Sequence, residues 1–170
     1  MDANRPVCNI VLFLLCTGAR LNEAVSARWE HIDRVGRVWR IPAKTSKSKR
    51  TRTVPLNDSA MELLDQLGTE DAHDRLFISD RTGRPLTYIQ KVWERLRREA
   101  GLPHLCIHDL RHQFASFLVN SGRTLYKVQK ILGHSSHSVT ERYAHLSTSS
   151  LMDASNSASV LIRESSHKGA

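Results

Sequence analysis

The sequence predicts an α+β fold, mainly α-helical, with one small antiparallel sheet. Apolar residues recur at helical spacing from Val7 to Leu15 and again over much of the second half. Two segments that alternate apolar and polar residues, Val35 to Ile41 and Arg50 to Leu56, flank a polar, lysine-rich turn. Gly18, Gly101, Gly122 and Gly133 stand where helical runs stop, as C-terminal caps do.

Taken in order, Asn4-Arg5-Pro6 predicts a helix start, because a proline in the first turn lacks only an N–H that has no partner there. Val7, Ile10, Val11, Leu14 and Leu15 mark one face, and Leu12 and Phe13 make the helix apolar nearly all round, so it is expected to be buried. Gly18 ends it, and a short helix is expected over about residues 22–28. The alternating segments predict a hairpin or small antiparallel sheet whose tip carries Lys44, Lys47 and Lys49. Asn57 or Asp58 caps a helix running through Leu67, and Leu76-Phe77-Ile78 reads as a short extended piece. Helices are then expected over 87–98, 108–120 and 124–132, with Leu110, Phe114, Phe117 and Leu118 as the buried stripe of the second. Ser138-Val139-Thr140-Glu141 fits a capping box, which places Tyr143 in a short helix. A weak helix is expected within 151–162 and a disordered tail over 163–170.

A chain of 170 residues suits one domain, expected over 1–162. Hydrophobic residues make up 40% and charged ones 25%, an ordinary globular balance. The net charge of +8 and a pI near 9.9 favour a polyanionic partner, although a generic basic surface gives the same values. Cys8, Cys16 and Cys106 are odd in number and lack zinc-ribbon or CxxC spacing, so reduced thiols are expected. The most apolar run, Ile10 to Cys16, is far below the ~18 residues of a membrane span, and no secretory signal is recognisable. These readings point to a soluble, cytoplasmic protein.

Several residues have the chemistry of a phosphate site. Tyr143 follows a histidine–arginine cluster, and a phenol that ionises near pH ~10 needs a base and positive charge nearby to act as a nucleophile. His108 and Arg111, three apart at a helix start, pair a proton carrier with a fork that grips two oxygens; a polar helix start with a satisfied histidine is the plainer reading. Arg20 lies in the turn Thr17-Gly18-Ala19-Arg20, with Glu23 three residues on, and a surface ion pair is the alternative there. Lys44, Lys47, Lys49, Arg50 and Arg52 form a basic ribbon able to track a phosphate backbone, or a solvated turn. The basic residues between Lys91 and Arg98 make a weaker case of the same kind. His104, His108 and His112 invite a metal reading. Pro103 takes His104 off the helix and no HExxH glutamate is present, so no metal or other cofactor is assigned.

In their order and spacing, these motifs resemble the catalytic domain of the tyrosine recombinases, the phage-integrase and Xer-like enzymes. The resemblance rests on Thr17-Gly18-Ala19-Arg20-Leu21-Asn22-Glu23, the lysine hairpin ending in Val54-Pro55-Leu56, His108-Asp109-Leu110-Arg111-His112, and Leu132-Gly133-His134 followed by Tyr143. It covers the chain from Val7 to about Leu146. It implies that Tyr143 attacks a DNA phosphate, that Arg20 and Arg111 hold the non-bridging oxygens, and that Lys44 protonates the leaving 5′-oxygen. His108 takes the phenol proton and His134 hydrogen-bonds the phosphate. Lys47, Lys49, Arg50 and Arg52 meet DNA, and Glu23, Asp109 and His112 support the reacting groups. The partner implied is double-stranded DNA, with strand exchange in a tetramer and residues 151–162 as an exchange helix. Family members carry an N-terminal core-binding domain that is absent from this chain, so weak and poorly selective DNA binding is expected. Two rivals are a helix-turn-helix-like binding module around 124–132 and a type IB topoisomerase-like enzyme.

Overall fold

The computed structural model describes residues 4–45, 50–133 and 143. Helix α1 (Arg5–Thr17) carries Pro6 in its first turn and ends at Gly18, whose φ of 61° lets its N–H reach the Leu14 carbonyl at 2.9 Å. Its inner face buries Ile10, Phe13 and Leu14. The Phe13 ring lies 5.2 Å from Trp39 and 5.5 Å from Phe77, an aromatic joint between helix, sheet and extended segment. Each such contact adds about 0.5–1.5 kcal/mol beyond its buried area. The expected all-round burial of α1 does not hold. Leu12 is 48% exposed, because α1 is covered chiefly by α2, α3 and α5 on its other sides.

Helix α2 (Leu21–Val25) is shorter than expected. The Ser26 hydroxyl donates to the Asn22 and Glu23 carbonyls, and the chain then turns through a single 3-10 turn, Trp29–His31. Ala27 and Trp29 bond the backbone of Leu76 and Asp74, which holds the predicted extended piece in place.

Strands β1 (Ile32–Asp33), β2 (Val38–Ile41) and β3 (Arg52–Pro55) form an antiparallel sheet in that order, one strand more than a hairpin. Trp39 pairs with Val54 and Ile41 with Arg52. Trp39, Ile41 and Val54 are buried, so this is the inward face, and Arg52 shares it.

Helix α3 (Asp58–Leu67) starts as expected: the Asn57 side chain accepts from the Ala60 N–H at 2.9 Å and donates to the Cys16 carbonyl at 2.9 Å. Helix α4 (Gln90–Glu99) begins later than Thr87, because Pro85 bridges Ile78 and the Leu86 N–H bonds the Phe77 carbonyl, keeping that stretch extended. Helices α5 (Asp109–Asn120) and α6 (Leu125–Leu132) match their predicted spans closely. The buried stripe of α5 is Leu110, Arg111, Ala115 and Val119, whereas Phe117, expected inside, is 52% exposed. Small Ala115 is what permits close packing, and Phe114 and Leu118 flank it half-buried.

Among the described residues, no helix is long and apolar enough to cross a membrane. The expected helix around Tyr143, the 151–162 segment and the 163–170 tail fall outside the described residues, as do Lys47, Lys49 and His134.

Gly18 is where α1, α5 and α6 come closest. A Cβ there would lie 2.3 Å from the Phe114 ring and 2.8 Å from Leu132, whereas one on Gly68, at the same left-handed φ, meets nothing. Gly68→Ala therefore costs only the backbone term, about 1–2 kcal/mol. Gly18→Ala adds overpacking of about 1–3 kcal/mol. Urea unfolding should show a clearly larger drop in midpoint for Gly18→Ala; equal drops would remove the close approach.

Candidate active site

The turn after α1 and the first turn of α5 meet at a cluster of guanidiniums. Arg20 stands in extended backbone just before α2, and its N–H donates to Glu23 Oε2 at 2.9 Å. Its own side chain donates to Glu23 Oε1 at 3.2 Å. From the opposite side Arg52 donates to both oxygens of Glu23, at 2.8 Å and 3.3 Å. Glu23 is only 2% exposed. Burial alone pushes its carboxyl up, but the hydrogen bonds and charges of Arg52 and Arg20 outweigh that and hold it below the usual range.

Arg52 also donates to the Ile131 carbonyl at the end of α6, at 3.1 Å. Its stem passes against Gly133, where a Cβ would lie 2.9 Å from Arg52 Cδ. The expectation that Arg52 belongs with the DNA-facing cations is thus corrected: it is turned inward and joins β3 to α2 and α6. The alternation of β3 already placed it on the side of Val54 and Leu56. Arg50 and Lys44 are exposed, Lys44 on the connection that leaves β2.

Arg111 is 3% exposed, on the buried stripe of α5 one turn before Ala115. Its two terminal nitrogens donate to the Gly18 carbonyl at 2.6 Å and the Leu132 carbonyl at 2.7 Å. One guanidinium thereby ties α5 to the ends of α1 and α6. Burial, then the positive charges of Arg20 and Arg52, bring its pKa down to about 9. It remains cationic at neutral pH in a place short of negative charge, which suits an incoming phosphate.

The imidazoles sit one helical turn apart. His108 is exposed at the start of α5, and its ring meets His112 edge-on at 4.9 Å between centroids. Partial desolvation lowers the His108 pKa, and the neighbouring His112, Arg111 and Arg20 lower it further. Asp109 accepts from the Cys106 N–H at 2.7 Å and so shapes the turn into α5. Tyr143 is 5% exposed, its ring packed with Ala115, Val119, Val128 and Leu132 between α5 and α6. Its hydroxyl is hydrogen-bonded to His112 Nδ1. Sequence reasoning gave the phenol to His108; the structure places His112 against it. Sequence reasoning placed His112 among the supporting residues, four positions beyond His108 on the same helical face.

Arg20, Glu23, His108, Arg111, His112 and Tyr143 are thus brought into one region. The sequence profile of the phage integrase family matches residues 5–150. The chain belongs to the phage integrase family. Tyrosine recombinase XerC of Corynebacterium efficiens is 33% identical over 151 residues, covering 85% of this chain and 48% of that protein. The integrase of Salmonella phage P22 is 30% identical over 165 residues, covering 89% and 42%. The chain therefore spans about half the length of these integrase relatives. The catalytic domain of bacteriophage HP1 integrase superposes with a TM-score of 0.65 at 32% identity, over 87% of this chain and 79% of that one. XerH recombinase in a post-cleavage complex with its difH substrate gives 0.68 at 27% identity, over 91% and 46%. The mainly helical fold with a small antiparallel sheet is the integrase catalytic fold.

Two predictions concern Glu23. Glu23→Ala leaves two buried or half-buried guanidiniums uncompensated and should cost about 3–5 kcal/mol in chemical denaturation. A carboxyl held below its ordinary value of 4.5 stabilises the fold above that pH, and the contribution fades as pH falls through the folded value. The unfolding midpoint should thus fall below about pH 4.5, and Glu23→Gln should flatten that fall. An unchanged acid profile in Glu23→Gln would show that the carboxylate is not carrying this term.

Proposed function

We propose that this chain, over residues 1–162, is the catalytic domain of a tyrosine-type site-specific DNA recombinase, with Tyr143 as its nucleophile. The observation that carries the reading is the Tyr143 hydroxyl bonded to an imidazole beside Arg111, in a chain of integrase family membership. A phenol, a proton acceptor and a buried cation in one place are what phosphoryl transfer to tyrosine requires.

In this reading the phenolic oxygen attacks the scissile phosphate. The bond from phosphorus to the 5′-oxygen breaks, leaving a 3′-phosphotyrosyl link and a free 5′-hydroxyl. Arg20 and Arg111 bind the non-bridging oxygens and offset the charge that grows there. Lys44, exposed on the connection that leaves β2, supplies the proton to the departing 5′-oxygen. His134 hydrogen-bonds the phosphate, and the phenol proton passes to the imidazole pair at the start of α5, His108 and His112. Lys47, Lys49 and Arg50 track the backbone. One phosphodiester is exchanged for a phosphotyrosine of similar energy, so a second strand's 5′-hydroxyl reverses the step without a nucleotide or other cofactor. The net charge of +8 supports a DNA partner. Strand exchange between two duplexes calls for a tetramer on DNA, and such a substrate places the protein in the bacterial cytoplasm.

Incubation with a nicked suicide duplex in EDTA should give a denaturant-resistant protein–DNA adduct that is lost in Tyr143→Phe. An adduct that persists in Tyr143→Phe, or that forms only with added magnesium, overturns the reading. Lys44→Ala should slow cleavage at an ordinary 5′-oxygen by about 100-fold or more. A 5′-bridging phosphorothiolate, whose leaving group needs no proton, should restore the rate; failure to do so removes Lys44 from the acid role.

A further inference from the structure

We propose that His112 is the proton acceptor for the Tyr143 phenol, with His108 as the residue that positions its ring. The proposal rests on the recombinase reading above and reassigns one step within it.

Three observations carry it. First, His112 Nδ1 and the Tyr143 hydroxyl are in hydrogen-bond contact. Second, the Tyr143 ring is closed in by Ala115, Val119, Val128 and Leu132, with Phe114, Leu118 and Leu125 around them. At 5% exposure the phenol has little access to bulk water, so its proton must leave through a group already touching it. Third, His108 meets His112 at an interplanar angle of 90°. Being four residues apart on α5, the two rings restrain each other.

The surrounding charges act on the resting state of the acceptor, before DNA is present. Facing His108 are Asp109 and Arg111 from α5 and Arg20 from just before α2, while Arg52 from β3 and Glu23 from α2 face Arg111 in turn. Cations prevail around His108 and disfavour its charged form. In its neutral form, with the proton on Nε2, His112 presents a lone pair at Nδ1 to the phenol. Bound DNA brings a phosphate anion into this cationic cluster and makes the same ring more basic. The base is thereby strengthened when substrate arrives.

The step balances as follows. While the phenolic oxygen bonds phosphorus, its proton passes to His112 Nδ1. The pair of the breaking bond goes to the 5′-oxygen, which takes a proton from Lys44. In the return reaction an incoming 5′-hydroxyl gives its proton to Lys44 as its oxygen bonds phosphorus, the bond from phosphorus to the tyrosine oxygen breaks, and His112 gives the proton back to that phenolic oxygen.

The test is single-turnover adduct formation by the intact chain on the nicked duplex, measured across pH and alongside DNA affinity by fluorescence anisotropy. His112→Asn keeps a hydrogen-bonding oxygen near the place of Nδ1 but has no basic nitrogen. It should lower the rate about 100-fold or more, abolish the acid limb of the pH profile, and leave DNA affinity within about twofold. The 5′-bridging phosphorothiolate should not rescue it, in contrast to Lys44→Ala. Added imidazole should partly restore His112→Ala, whose missing ring leaves room for it. His108→Ala should slow the reaction less and keep the acid limb. The proposal is overturned if His112→Asn retains the acid limb, whatever its rate, or if His108→Ala alone abolishes it. A melting curve for each variant separates loss of chemistry from loss of fold. Absence of any adduct from the unmodified chain, or its survival in Tyr143→Phe, would instead refute the recombinase reading itself.

Discussion

Glu23 is one buried carboxylate set between Arg20 and Arg52, close enough to Arg111 to raise its pKa against the two other cations. Guanidiniums repel one another, and a cluster able to receive an anion must hold together before the anion is present. Glu23 makes that possible at the cost of its own burial, which only hydrogen bonds to both oxygens can offset. The sheet, the α1–α2 turn and the end of α6 all reach this point: β3 through Arg52, α2 through Glu23 itself, α6 through the Ile131 carbonyl.

Arg111 adds a second constraint by a different route. It is held by backbone carbonyls of Gly18 and Leu132 instead of by an acid, so its charge is fixed in place without being neutralised. That distinction divides the labour of the cluster. Arg52 is satisfied and structural, whereas Arg111 is positioned and electrostatically unspent. A cation kept short of counter-charge in a low-dielectric setting gains most when an anion arrives. The bare backbone at Gly18 and Gly133 is part of the same design, since side chains there would collide with Phe114 and Arg52.

Much of this was legible in the sequence because it is local. The cap at Gly18, the Asn57 cap, and the spans of α5 and α6 follow from spacing and turn chemistry. Arg20, Glu23 and Arg111 were found from motif order. What escaped depends on which partner a side chain meets across the fold. Arg52 was grouped with its basic neighbours by charge, although strand alternation put it inside. Phe117 was assigned to the buried stripe with Leu110, Phe114 and Leu118, whereas α5 meets the bare Gly18 backbone through Phe114 and turns Ala115 and Val119 toward α6. Which of His108 and His112 touches the Tyr143 hydroxyl is set by where residue 143 comes to rest, 31 positions beyond His112, and no local pattern encodes that.

The central claim is that the Tyr143 oxygen becomes bonded to DNA. The most direct measurement is mass spectrometry of the trapped adduct after nuclease and protease digestion. The account predicts one modified peptide, with a 3′-nucleotide attached to Tyr143. A nucleotide found on any other residue, or none on the peptide containing Tyr143, would contradict it.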